Sequence, residues 1–145
     1  KISLEEMVRV TKKHGKIILL IAGFWDTPDA SHFYNHLNIP WSHLLFNHGD
    51  LKKFVKANSF NFMHMNAEQY AKSTIEQFDT LNRLLTKDYK DMISDLQDRC
   101  EILVCKDYTI THFQRAFYDI FKKNIRETIS DPSKIISLEI VLKKN

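Results

Sequence analysis

Glycine and proline are scarce in this chain, three of each in 145 residues, and that scarcity excludes flexible linkers and low-complexity disorder. Cysteine is scarcer still. Cys100 and Cys105 are the only two, too few for a disulfide framework, so a reducing, cytoplasmic setting is expected. No apolar run approaches the roughly 20 residues that a membrane-spanning helix needs, the longest being Ile17 to Trp25 with Gly23 inside it. The first residues have no apolar leader, and the chain opens on Lys1 without an initiator Met, from which a fragment of a longer protein is expected. Charge of one sign is also lacking. The 21 Lys and Arg and 18 Asp and Glu are mixed along the chain and leave a net +3, which gives no concentrated field for a nucleic-acid backbone.

What is present is ordinary core-forming material. A 43% apolar content in a chain of this length supports one domain, 1–145, around one core. Ser3 and Glu6 form a capping-box pattern ahead of Leu4, Met7 and Val8, and Gly15 suits the left-handed position after the helix. Lys16 to Phe24 is a continuous apolar run, read as a central parallel strand covered on both faces. Residues 25–47 are loop-rich, with breaks at Pro28 and Pro40 and a short helix expected from about Asp29 to Leu37. Asp50 is read as the cap of a second helix on Leu51, Phe54 and Val55, followed by an alternating strand from Ser59 to Met65.

From Asn66 the apolar spacing turns helical through Tyr70, Phe78 and Leu85 and again through Tyr89 to Leu96, with a break near Thr86. Cys100 to Cys105 reads as a short strand or an apolar link, and Thr111 caps a helix that Asp131-Pro132 ends. Lys134 to Lys144 is a closing strand. The stretch 66–130 is thus a helical insertion or lid within the domain, its apolar stripes serving as core, lid or dimer face.

Arg9-Val-Thr-Lys-Lys-His-Gly15-Lys-Ile-Ile-Leu19 resembles the segment of class I S-adenosylmethionine-dependent methyltransferases that leads from a helix into the fifth strand. Leu51 to Met63 is similar to the helix before their sixth strand, and Ile135 to Lys143 to their antiparallel seventh. The sequence departs from the family with Lys13 for Pro, His14 for the first Gly, and Asn58-Ser59 for Ala-Gly. The resemblance implies an α/β fold: part of a Rossmann-like methyltransferase sheet with an antiparallel last strand, the helical insertion lying between the sixth and seventh strands. It implies methyl transfer to a small-molecule acceptor. The family's glycine-rich cofactor turn is absent, so S-adenosylmethionine would be held mainly by residues outside this sequence, and a homodimer or an amino-terminal half is the expected partner. The competing reading is a non-catalytic α/β interaction domain that docks a partner on Tyr70 to Leu96.

In an open α/β sheet, ligands sit beyond the carboxyl ends of the parallel strands, which places Phe24, Trp25 and Asp26 at the crevice. Transfer from a sulfonium calls for an electron-rich wall, for which Trp25, Tyr34 and Trp41 are the candidates. Asp26 would orient or deprotonate the acceptor, and His43 or His64 would serve as general base. Aromatic packing under a loop, with a solvated Asp, is the plainer alternative. His32 and His36 have the i, i+4 spacing that can chelate zinc, but no third ligand is specified and no metal is expected. Cys100 and Cys105, five apart, would face opposite sides of a strand and are read as packed small hydrophobes.

Overall fold

The computed structural model describes residues 2–33, 35–124 and 134–145. In chain order these form α1 (Ile2–Val10), β1 (Lys16–Ala22), α2 (Ser42–Leu45), α3 (His48–Ala57), α4 (Ala67–Thr80), α5 (Thr86–Ser94), β2 (Cys100–Thr109), α6 (His112–Asn124) and β3 (Ile135–Lys144). The fold is mixed α/β, with a three-stranded antiparallel sheet in the order β1-β3-β2. β3 is antiparallel to both neighbours, so β1 and β2 run parallel to one another across it. Among the described helices, none is long and apolar enough to cross a membrane.

The sheet has one buried face. Leu138, Ile140 and Leu142 of β3 point inward with Ile17 and Cys100, and Val8 of α1 with Ile93 and Leu96 cover them. Each large aliphatic side chain withdrawn from water here contributes about 1.5–3 kcal/mol. The opposite face stays open: Ile18 pairs with Val141, which pairs with Val104, and Ile18 and Leu20 are 74% and 75% exposed. β1 was expected to be a central parallel strand covered on both faces. It is instead an edge strand of the described sheet, with every helix that packs on it lying on one side.

Several local expectations are corrected. α1 already includes Ile2, so Ser3 lies inside its first turn, and the Glu6 carboxylate accepts from Arg9 Nε and Nη2 at 2.8 and 2.6 Å. His14, not Gly15, takes the left-handed backbone, at φ 63°. Gly15 is required by close approach, since a Cβ there would stand 2.8 Å from the Lys12 carbonyl oxygen. The turn is fastened to the end of the sheet by His14 N–H donating to Lys144 O and Lys144 N–H donating to Gly15 O.

The cap of α3 is Asn47, whose Oδ1 accepts from the backbone of Gly49 and Asp50; Asp50 sits in the first turn, where its charge suits the helix dipole. Ser59 to Met65 is not a strand. Phe62 and Met65 bond each other across a tight turn with Met63 at φ 52°, and the alternating aromatics pack locally instead, Phe62 stacking on Tyr70 at 4.7 Å. The second strand of the sheet is Cys100–Thr109, so 66–130 is interrupted by a strand and most of its helices precede that strand. The break near Thr86, the Asn66 start and the Thr111 cap fall as expected: Asn66 Oδ1 accepts from Gln69 N–H at 2.9 Å and Thr111 Oγ1 from Gln114 N–H at 3.3 Å. The Asp131-Pro132 terminator lies outside the described residues.

Candidate functional site

The chain leaves β1 at Gly23, whose φ of +73° turns it out of the sheet. Alternation then splits the next two aromatics. Phe24 returns to the core under the sheet, against the Tyr89 ring at 5.1 Å, and Trp25 joins a second core of Phe33, Trp41, Leu44, Leu51, Val55, Phe78 and Tyr118. The backbone of this exit is tied on every side. Trp25 N–H donates to Leu84 O at 2.8 Å, the Trp41 indole N–H donates to Asp26 O at 3.0 Å, and Thr27 Oγ1–H donates to Phe24 O at 2.8 Å.

The predicted residues meet here, although their polar atoms serve the fold. Asp26 Oδ1 accepts from both the backbone N–H and the hydroxyl of Thr86, at 2.9 Å each, and so caps α5 from sixty residues away in sequence. Trp41 is fully buried, in left-handed backbone at φ 56°, immediately before α2. His43, also fully buried, donates from Nε2–H to the Trp25 carbonyl at 2.6 Å, and its Nδ1 has no partner. Burial pushes the imidazole pKa down to about 4; the bond to the Trp25 carbonyl works against this, and the charges of His48 and Arg83 reinforce it. His43 is therefore neutral near pH 7.

The two remaining candidates stand apart. His64 is exposed in the turn between Phe62 and Met65, and Tyr34 lies outside the described residues. Residues 28–33 and 35–36 form turns rather than a helix, with His32 at φ 58°, so its i, i+4 spacing to His36 does not follow a helix face. His36 instead stacks on Tyr70 at 4.9 Å and meets the Ser59 hydroxyl at 3.3 Å; burial lowers its pKa. Among the described residues no group of three or more His, Cys, Asp or Glu could hold a metal ion. Cys100 is buried and Cys105 exposed, both as free thiols.

The residue that sequence reading missed is Arg83. At φ 53°, its guanidinium carbon stands 4.9 Å from the Trp25 ring centroid and 5.9 Å from that of Phe78. The aromatic face expected to receive a sulfonium thus already carries a cation of the chain itself. His48 meets both rings edge-on, at 5.9 and 5.0 Å, and donates from Nε2–H to the His43 carbonyl. Lys52 approaches Phe78 from α3 and is paired with Asp79. Nothing in the letters around Asn82-Arg83 marks this role, which depends on a left-handed turn between two helices.

The grooves among the described residues include one of about 680 Å³ lined by Lys56, Glu68, Ala71, Lys72, Ile75 and Glu76 and two smaller ones. One of about 280 Å³ is lined by Leu37, Phe46, Asp50, Leu51 and Phe54. Another of about 240 Å³ runs along the inner face of β1, past Leu19 and Ile21 to Asn82, Leu84 and Tyr89. Comparison with protein-family models, with curated proteins and with solved structures finds no match to this chain.

Proposed function

We propose that this chain forms the later-strand half of a class I S-adenosylmethionine-dependent methyltransferase acting on a small-molecule acceptor in the cytoplasm. The observation that carries the reading is the sheet order: β3, last in sequence, runs antiparallel between β1 and β2, which are parallel to each other. An otherwise parallel sheet with an antiparallel closing strand is what the resemblance of residues 9–19 and 135–143 calls for. The open edge of β1 supports it as well, because an apolar strand of this kind is a template for a further strand.

The described residues do not fit the cofactor. Gly15 is crowded by Thr11 and Lys12, Gly49 sits at the start of α3, Gly23 serves the turn out of β1, and Arg83 already occupies the Trp25 face. No step runs through the cofactor on these residues; when bound by the remainder of the protein, it would supply the methyl group as an electrophilic sulfonium. The contribution of this chain is the acceptor side, at the carboxyl end of β1.

A non-catalytic interaction domain is the second reading, favoured by the structural use of Asp26, Trp41 and His43. The Tyr70 to Leu96 face expected to dock a partner is spent inside the chain, with Tyr70, Phe78, Ile93 and Leu96 all buried, so docking would fall to the open sheet face. Calorimetric titration of the naturally occurring protein with S-adenosylhomocysteine separates the two readings. Saturable binding is expected from the methyltransferase; its absence would retire that reading and leave the interaction domain.

A further inference from the structure

We infer that Arg83 is the anchor of a binding site for an organic carboxylate, lying on the aromatic floor of Trp25 and Phe78 where the chain leaves β1. In naming the methyl acceptor as an organic acid this rests on the methyl-transfer reading, whereas the binding itself does not. The guanidinium is exposed, and it makes no hydrogen bond or ion pair with any of the described residues; its contacts among them are the two rings. Ring faces hold a guanidinium through its charge and leave its N–H fork for a planar acceptor, and a carboxylate matches that fork with two parallel bonds.

The surroundings select a monoanion. Lys52, the nearest other cation on the Phe78 ring, is already neutralised by Asp79 at 2.5 Å. His48 spends Nε2–H on the His43 carbonyl. Asp26 at the strand exit has Oδ1 committed to Thr86, and none of the described carboxylates pairs with the guanidinium. A single guanidinium held over buried rings suits a monoanionic carboxylate better than a phosphate, whose second charge would go unmatched. Arg83 also holds an unfavourable backbone state, left-handed φ in a long-chain residue, and here it sets the side chain across Trp25.

The probes are benzoate, benzamide and inorganic phosphate, titrated into the purified protein while the Arg83 Nε–H resonance and tryptophan fluorescence are followed. Saturable benzoate binding is expected, with benzamide at least about tenfold weaker and a loss of roughly 10- to 100-fold in Arg83→Gln, the span of one or two charge-assisted bonds. Arg83→Lys, which keeps the charge and drops the fork, should fall between. If Arg83→Gln does not fold, Arg83→Asn replaces it, since Asn tolerates left-handed backbone. Equal binding of benzoate by wild type and the Arg83 variants, or of benzamide and benzoate by wild type, would overturn the site. Phosphate displacing benzoate at equal concentration would overturn the choice of carboxylate. Benzoate binding without S-adenosylhomocysteine binding would remove the methyl-transfer reading and leave the carboxylate site standing.

Discussion

The two cores of this protein are built on opposite terms. Under the sheet, the core is mostly aliphatic and its members sit at regular spacings on β1, β3, α1 and α5. Around the strand exit it is largely aromatic, and Trp25, Phe33 and Trp41 come from loops whose course is set by left-handed residues and side-chain-to-backbone bonds. Gly23-Phe24-Trp25 is the joint, with Phe24 in one core and Trp25 in the other. The first core needs only apolar side chains of suitable size, but the second needs particular hydrogen-bond partners. Substitutions that keep volume should therefore be tolerated under the sheet and not at the exit.

The sharpest break of that contrast is Trp41→Phe set against Leu142→Met, both at fully buried positions. The first leaves the Asp26 carbonyl without its indole donor and opens space, and should lower stability by about 2–4 kcal/mol; the second conserves volume and should cost less than about 1.5 kcal/mol. Urea unfolding of both reads the difference. Acidification should act most strongly through His43 in the exit core, with a smaller effect of the same sign from His36. The unfolded chain takes up a proton on His43 below its ordinary pKa of 6.5, while the folded chain resists until about 4, so the stability is complete above pH 6.5 and is lost as pH falls toward 4. The 2.5-unit gap amounts to about 3 kcal/mol, and His43→Gln should flatten the slope in denaturant midpoints measured between pH 7 and 4.

Asp26→Ala removes the acceptor of both Thr86 donors and should cost about 1–2 kcal/mol, with Asp26→Asn restoring most of it through its remaining carbonyl oxygen. Thermal unfolding compares them. Smallest of all, Leu20→Thr on the open face should move stability by no more than about 0.5 kcal/mol, against about 1 kcal/mol for Ile17→Val on the inner face of the same strand. A large loss from Leu20→Thr would mean that the outer face is covered.

What the letters revealed follows the same division. β1, β3 and the helices starting at Asn66, Thr86 and Thr111 were legible because burial on one side of a regular element imposes a period, and because Asn66 and Thr111 carry their partners three residues on. Ser59 to Met65 shares the period of a strand, yet its aromatics meet Tyr70 and His36 across a turn, a contact no local pattern encodes. β1 was recognised but misplaced in the sheet, since apolar residues on both faces signal a need for cover without showing which residues supply it. Phe24, Trp25, Asp26, Trp41 and His43 were brought together as the strand-exit rule implies, and their bonding partners were invisible. Arg83 was invisible altogether, because a left-handed turn between two helices leaves no periodic trace.

The methyl-transfer proposal depends on β1 being an edge of the sheet within residues 1–145, and amide hydrogen exchange along Lys16–Ala22, measured on those 145 residues alone, addresses that directly. Protection should alternate, with the amides bonded to β3 exchanging slowly and the intervening ones rapidly. Uniform slow exchange along the strand would contradict an open edge and, with it, the half-sheet on which the methyltransferase reading rests.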